Sequence, residues 1–319
     1  MLCDEGSVKV AVLGASGVVG RALVPELAKA HDVIGIGRRR PPPELAVQWA
    51  IADVTDPAAL ERALRGVDVV VHLVHSLGTP DFAAVDRRAA STVASVAERA
   101  GLSQIVYLGG LGEADPGLSE HLRSRQETAE LLAAGAVPVT TLRAAMVVGA
   151  GSAAFQTISA LVERLPAMIC PRWVSVPTQP IALTDVVAYL VGVCGMPEAL
   201  GQTYDVGGPE VMTYREMIER VAEIRGKHPL IVEVPFLTPR LSSYWLELVT
   251  PVNAAVARPL IDGLRSPTVA RDMRIRELVP ITLTPFDQAV RKASYAPRSS
   301  RIARARKKKI RSSRAETRR

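Results

Sequence analysis

Glycines at positions 14, 17 and 20 are spaced to hold a phosphate group. The stretch Gly14-Ala15-Ser16-Gly17-Val18-Val19-Gly20 follows a β-branched apolar run, Val8–Leu13, and opens a helical pattern over Val18–Ala30. In a strand–turn–helix of this kind Gly14 permits the tight turn. Gly17 lets the backbone approach a pyrophosphate, and Gly20 lets helix and strand pack closely. The free N–H groups of the helix start, near Ser16 and Val18, then face the phosphate charge. The expected ligand is a nicotinamide dinucleotide.

The end of the second strand selects the form of that dinucleotide. Asp or Glu at this place bonds the ribose hydroxyls of NAD. Here Asp32–Ile36 runs into Gly37-Arg38-Arg39-Arg40, with no acid before Glu44. A guanidinium fork suits a 2′-phosphate, so Arg38 is the expected contact and NADP(H) is favoured over NAD(H). Asp53, after the third strand, is placed either to meet the adenine edge or to close a turn. His75 and Ser76 follow the fourth apolar run, Val67–Val74, at the strand edge where open α/β sheets bind ligands. They line the nicotinamide pocket or are ordinary loop residues. Alternation puts His72 on the opposite face from His75. Tyr107 reads as core. Arg143 ends the sixth strand as an ion-pair partner or a cofactor contact.

Positioning these residues requires strands and helices in alternation. Apolar runs at Val8–Leu13, Asp32–Ile36, Val47–Ala52, Val67–Val74, Gln104–Leu108 and Val137–Leu142 alternate with helical patterns over 18–30, 56–64, 81–100 and 118–134. That spacing predicts an α/β fold of the Rossmann type, a doubly wound parallel sheet with helices on both faces. Pro25 should kink the first helix or remove one of its backbone bonds. Beyond Gly151 the pattern loosens. Helices are expected over 151–165, over 184–194 with Thr184 as N-cap, and over 213–225 with Thr213 and Glu216 as a capping box. The Rossmann core is assigned to 7–150, continued by 181–206. The segments 151–180 and 207–296 form a smaller C-terminal substrate lobe.

Charge is unevenly spread. The 319 residues carry 39 Lys+Arg and 32 Asp+Glu, a net of +7. Residues 297–319 hold eleven Lys/Arg and one Glu, a net of +10, so the other 296 residues carry −3. The tail is expected to be disordered, and suits an anionic membrane surface or nucleic acid. Cys3, Cys170 and Cys194 are sparse and scattered, with no zinc spacing, so no metal site is expected. No apolar run is long enough to cross a membrane, and Asp4 and Glu5 stand where the basic start of a signal peptide would be. The expected location is cytoplasmic, with a peripheral membrane association left open.

The glycine loop, Asp53-Val54, the strand end Tyr107-Leu108-Gly109-Gly110 and Pro180–Val186 resemble the extended or atypical short-chain dehydrogenase/reductases. Leu73–Gly78 (with Val74 and His75), Tyr107–Gly112 and His121–Glu127 are similar to the atypical NAD(P)-binding subgroup. That subgroup is related to NmrA-like regulators and to the NADPH-binding accessory subunit of respiratory complex I. The resemblance spans Val8 to about Ala293. It implies that Val54 and Val74 border the cofactor. Active members of the larger family use Tyr-x-x-x-Lys on the helix after the fifth strand, and a Ser or Thr at that strand's end. The matching positions here are His121 and Arg125, with Gly109 or Gly110 in place of the serine. Arg125 is expected to hold the ribose, and His121 to donate a proton near neutral pH.

Trp173, Phe236, Tyr244 and Trp245 fall in the assigned lobe, a composition that suits an apolar small molecule or ordinary core. Leu241–Leu260 and the tail suit a membrane surface. Two functions follow. One is an oxidoreductase acting on an apolar carbonyl or quinone-like compound. The other is a non-catalytic NADP(H)-binding redox sensor or assembly factor.

Overall fold

The computed structural model describes residues 7–112, 118–234 and 263–295. In chain order the strands are β1 (Lys9–Leu13), β2 (Asp32–Gly37), β3 (Gln48–Ile51), β4 (Val69–His72), β5 (Gln104–Gly110), β6 (Val139–Ala144), β7 (Val147–Val148), β8 (Ala167–Pro171), β9 (Pro177–Thr178), β10 (Ile181–Ala182), β11 (Thr203–Val206), β12 (Met212–Thr213) and β13 (Leu230–Val234). The helices are α1 (Val18–Leu27), α2 (Pro57–Ala63), α3 (Phe82–Ala100), α4 (Glu120–Ala133), α5 (Ala153–Arg164), α6 (Leu183–Val193), α7 (Tyr214–Ile224), α8 (Ile275–Leu278) and α9 (Phe286–Tyr295).

Seven strands form one parallel sheet in the order β11-β6-β5-β4-β1-β2-β3. The fold is the Rossmann-type doubly wound sheet. Both faces are covered, which is why the central strands are apolar throughout rather than alternating. Along β1, Val10 and Val12 enter a cluster with Leu23 and Leu27 of α1 and Val186 and Leu190 of α6. Ala11 and Leu13 enter the opposite cluster with Leu60 of α2, Val93 and Val96 of α3, and Ile105 and Tyr107 of β5. Chain order reverses between β1 and β4, so the connections leaving their C-terminal ends turn to opposite sides and leave a crevice between them. A third cluster joins α5, β8, α7 and α9 through Phe155, Ile158, Met168, Met217, Val221, Phe286 and Val290.

Local expectations meet the structure unevenly. Helix α1 runs through Pro25, and the Thr213–Glu216 capping box closes as expected. Thr184 is not the N-cap of α6. The cap is Ala182, and the Thr184 hydroxyl turns to the Asp185 carboxylate at 3.0 Å. Asp185 is buried because it serves a distant partner, accepting from the backbone N–H and hydroxyl of Thr284, both at 2.7 Å. Phe236, Tyr244, Trp245, the Leu241–Leu260 stretch, Cys3 and the 297–319 tail lie outside the described residues, as does the Trp173 side chain. Among the described residues no helix is long and apolar enough to cross a membrane, and no His/Cys/Asp/Glu cluster is arranged to hold a metal.

Candidate functional site

The glycine loop sits at the switch point between β1 and β4. Gly14 has φ +83°, and its N–H donates to the Ile36 carbonyl of β2 at 3.2 Å. The Gly17 N–H turns back to the Gly14 carbonyl at 2.9 Å. A Cβ on Gly20 would lie 2.5 Å from the Gly14 oxygen and 2.6 Å from Ala15 Cα, so only hydrogen fits where α1 crosses the loop. Gly151, at φ +91°, brings the loop after β7 over Val18, whose methyl would lie 3.2 Å from an added Cβ.

The Arg38 turn is braced by a residue the sequence reading passed over. The Trp49 ring of β3 lies flat over Gly35 and Gly37, where an added Cβ would approach it to 2.5 and 2.9 Å. Its indole N–H donates to the Arg39 carbonyl at 2.9 Å and fixes the start of the arginine run. Arg38 itself is exposed. Asp53 closes a turn, accepting from the Thr55 N–H at 2.9 Å and the Thr55 hydroxyl at 2.7 Å. Those bonds, led by the backbone one and aided by the Arg38 and Arg88 charges, hold its carboxyl below the usual carboxylate range. Asp53 and Arg38 are therefore electrostatic neighbours at the outer end of the sheet.

At the inner end a cavity of about 510 Å³ runs from Gly14 and Gly17 to the third apolar cluster. Its walls are mainly Leu73, Leu77, Leu108, Leu111, Leu122, Met146, Val147 and Leu264, with His75, His121, Arg125, Tyr214 and Thr268 among them. The structure thus brings Gly14, Gly17, Val18, His75, His121 and Arg125 to one space. Ser16, Arg38, Asp53, Val54 and Val74 do not line it. The side chains of Val54 and Val74 pack into or against the cluster beneath α2 and α3, and only the backbone of Val74 borders Gly14.

Arg125 is the unusual group. It is 9% exposed, yet among the described residues it forms no salt bridge. One guanidinium nitrogen, Nη2, donates to the Leu108 carbonyl. The other, Nη1, is buried without a hydrogen-bond partner. Its stem passes over Gly110, where an added Cβ would meet Leu122 Cδ2 at 3.1 Å and Arg125 Cγ at 3.5 Å. A side chain at this strand end would therefore press on Leu122 and touch the arginine stem.

The imidazoles around Arg125 are held neutral. Desolvation first, then the Arg125 charge, lower His121 to about 3 and His75 to about 4. His75 lies at the open side of the cavity. Burial and the Arg125 charge thus disfavour the imidazolium that proton donation by His121 near neutral pH would need. At pH 7 its ring offers one N–H as a hydrogen-bond donor and carries no dissociable imidazolium proton. His72, fully enclosed beneath the site, is lowered to about 3 by burial, and its Nδ1 has no partner.

Asp86 of α3 was missed in the sequence because it sits in an unremarkable Ala-rich helix. It is 4% exposed, accepts from the Ser76 N–H at 2.8 Å and lies 3.5 Å from the Ser124 hydroxyl. It ties the His75–Ser76 loop to the helix of His121 and Arg125. Burial raises its pKa against those bonds and the nearby Arg125 charge. Arg143 resolves as an ion pair. Its Nη2 lies 2.6 Å from Asp205, a 2%-exposed acid that also accepts from the N–H groups of Arg271 and Asp272.

The residues fit a dinucleotide: the cradle leaves no room for a Cβ at Gly20 and little at Gly17, and Arg125, a buried cation with one unpartnered nitrogen, lines the same cavity. A family model described as NAD(P)H-binding matches residues 14–158. Over 225 residues the chain is 30% identical to (4-alkanoyl-5-oxo-2,5-dihydrofuran-3-yl)methyl phosphate reductase of Streptomyces griseus, covering 68% of this chain and 74% of that protein. The chain belongs to the atypical short-chain dehydrogenase/reductase superfamily. It is also 25% identical over 240 residues to NADH dehydrogenase (ubiquinone) 1 alpha subcomplex subunit 9 of Arabidopsis thaliana, spanning 70% of this chain and 60% of that subunit. The crystal structure of Citrobacter sp. triphenylmethane reductase complexed with NADP(H) superimposes with a TM-score of 0.69 at 19% identity. That match covers 89% of this chain and 99% of that one, a likeness of fold. Like these superfamily members, the chain has an NAD(P)H-binding Rossmann core of the reductase type.

Proposed function

We propose that this superfamily member is an NADP(H)-dependent reductase of an apolar carbonyl or quinone-like compound. Arg125 and the neutral His121 stand in for the usual tyrosine and lysine. The observation that carries the reading is the buried Arg125 guanidinium, which has one nitrogen without a hydrogen-bond partner and belongs to a residue lining a cavity walled by leucines. An isolated buried cation costs stability, and an anionic or strongly polar ligand offsets that cost.

A dinucleotide held by the glycine loop would supply hydride for the acceptor carbonyl, leaving the charge on its oxygen. Arg125 Nη1 and the His121 N–H then hold the oxyanion, at a site where low dielectric strengthens both bonds. The proton comes from water entering the cavity, because His121 has none to give. Arg38 receives the 2′-phosphate, while Gly14, Gly17 and the start of α1 receive the pyrophosphate. The compound in the Streptomyces relative's name joins an alkanoyl group on an oxo-dihydrofuran to a methyl phosphate, so a carbonyl compound with an apolar chain is compatible with this reading, and that one also carries an anionic group.

A second reading, a non-catalytic NADP(H)-binding sensor or assembly protein, is favoured by the loss of every family hydroxyl at Gly109, Gly110 and His121. NADPH oxidation measured against aliphatic aldehydes, conjugated ketones and quinones separates the two. Turnover that Arg125→Ala lowers by about 10²-fold or more supports the reductase. Tight NADPH binding with no oxidation across the panel supports the second reading.

A further inference from the structure

We propose that Arg21 and Glu44 are positioning residues for the dinucleotide. Together they tie the loop that presents Arg38 to the glycine loop, so that 2′-phosphate and pyrophosphate are met by one unit. The proposal rests on the reading that Arg38 receives the 2′-phosphate, and it adds a pair that acts through Arg38. Arg21 stands in the first turn of α1, next to Gly20. Its Nε donates to the Ser16 carbonyl at 2.8 Å, within the glycine loop, and its Nη1 donates to the Glu44 carboxylate at 2.6 Å. One guanidinium thus spans two loops. Its planar fork holds both acceptors at fixed angles, which a lysine ammonium on a flexible stem does not. The peptide between Ser16 and Gly17 is held on its other side as well, because the Gly17 N–H donates to the Gly14 carbonyl at 2.9 Å. Fixing that peptide fixes the start of α1, where the phosphate charge is expected.

The Glu44 bond closes the other loop. Residues 38–44 read Arg-Arg-Arg-Pro-Pro-Pro-Glu. Three adjacent cations repel one another, and three prolines have no backbone N–H to donate, so the stretch has little to hold itself in place. It is pinned near both ends instead. The Trp49 indole takes the Arg39 carbonyl at 2.9 Å, and Arg21 takes Glu44. The Leu45 N–H closes a turn onto the Pro42 carbonyl at 3.0 Å, and the Leu45 side chain packs into the cluster that holds Leu23 and Leu27 of α1, which seats Glu44 beside that helix. Glu44 is the only acid between Asp32 and Asp53. Arg21 and Glu44 are each about half exposed. An ion pair of that kind contributes little to overall stability, so its effect is expected in cofactor choice rather than in melting temperature.

Calorimetric titration of NADPH and of NADH into the full chain tests this. Five proteins are compared: the parent, Glu44→Ala, Arg21→Ala, Arg38→Ala, and Glu44→Ala combined with Arg38→Ala. Removing an acid near a phosphate would on charge alone tighten NADPH, so weakening reports lost position. Glu44→Ala should weaken NADPH about two- to fivefold, the range that an exposed ion pair carries, and leave NADH unchanged. Added to Arg38→Ala it should have no further effect. Arg21→Ala should weaken both dinucleotides, because the Ser16 carbonyl is released too, and NADPH the more. Melting temperatures near the parent's report that the variants are folded. Three outcomes overturn the proposal while the parent's preference for NADPH stands. One is a Glu44→Ala variant that binds NADPH as tightly as the parent or more tightly. Another is a loss at Glu44→Ala that is as large without Arg38 as with it. The third is an Arg21→Ala variant with both affinities at the parent's values. Equal affinity of the parent for the two dinucleotides would instead overturn the reading of Arg38, and this one with it.

Discussion

The Arg125 guanidinium lies over the Tyr107 ring, 5.1 Å from its centroid, while the Tyr107 hydroxyl donates to the Arg125 backbone carbonyl at 3.1 Å. Each residue fixes the other: the strand residue sets the height of α4, and the cation covers the ring's face. Tyr107 is fully buried. It serves as a platform that aims the arginine, in a fold whose active relatives place their working tyrosine on the helix instead.

Stability and function should therefore pull apart at position 125. Arg125→Met keeps the stem over Gly110 and Tyr107 but removes the charge and the unpartnered Nη1. Leaving a buried donor unsatisfied costs about 1–3 kcal/mol, and each kcal/mol moves the melting temperature of a protein this size by about 2–4 °C. Thermal melts without ligand should show the Met variant to be the more stable protein. Its rate of NADPH oxidation with an acceptor should be lower than the parent's. A Met variant that melts lower would mean that the free donor is already satisfied in the ligand-free protein.

Cofactor choice should reside in Arg38. A charged hydrogen bond to phosphate contributes roughly 1.5–3 kcal/mol, so Arg38→Ala should weaken NADPH by about ten- to hundredfold and leave NADH nearly unchanged. Trp49→Leu should weaken NADPH in the same direction through a different cause, because it frees the Arg39 carbonyl and the turn that presents Arg38. Fluorescence titration reads both. Equal affinity of the parent for NADH and NADPH would remove Arg38 from this role.

Gly20 is the packing contact between α1 and the glycine loop. Gly20→Ala places a methyl 2.5 Å from the Gly14 oxygen and 2.8 Å from the Ala15 carbonyl carbon, both backbone atoms that cannot rotate away. The helix must shift outward. Overpacking of this kind costs about 1–3 kcal/mol. The pyrophosphate loop should be distorted as well, so NADH and NADPH affinities fall together, unlike the Arg38 variant. Parallel titrations of the two dinucleotides distinguish these patterns.

Much of this was legible from residue order. The glycine spacing, the arginines after β2 and the alternation of strands and helices each rest on short-range chemistry, and β1 to β6 stand close to where the sequence put them. Other features were hidden because their cause is long-range. Trp49 is an ordinary apolar residue until β3 pairs with β2 and lays its ring on Gly35 and Gly37. Asp86 is one acid in an alanine-rich helix until the loop after β4 folds onto it. Thr184 had the right type for a cap, but Asp185 was already committed to Thr284, 99 residues away in sequence. His121 divides in the same way. Its type and position pointed to acid–base chemistry, while its titration is set by the burial of α4 and by Arg125 one turn along.

Acid sensitivity should follow from His72. In the folded state burial holds it neutral down to about 3, whereas an unfolded histidine titrates near 6.5. Below pH 6.5 the unfolded chain takes up a proton that the folded chain refuses, so stability falls with falling pH until about pH 3. Between pH 7 and pH 5 that one group should remove about 2 kcal/mol. His72→Leu deletes the titrating group, so its urea-unfolding free energy should change less over this interval than the parent's. Parallel pH profiles for the two proteins would assign the acid lability elsewhere.

The role of His121 is tested by a pH profile that ought to be flat. A protonated imidazole acting as general acid would make the reduction rate fall above its pKa. With burial and the Arg125 charge holding that pKa at about 3, no such fall should occur between pH 5.5 and 8. His121→Phe should nevertheless lower kcat, because the ring N–H that meets the developing oxyanion is lost. Removing one oxyanion donor costs about 10²–10³ in rate. His121→Gln restores a neutral donor and should recover part of the loss, whereas a residue needed only for packing would be rescued better by Phe. NADPH affinity should stay near the parent value in both, since the cofactor is held by the glycine loop and Arg38. A parent profile that drops with a midpoint near 6.5, and that His121→Gln flattens, would restore the imidazolium as the proton donor and overturn the neutral assignment.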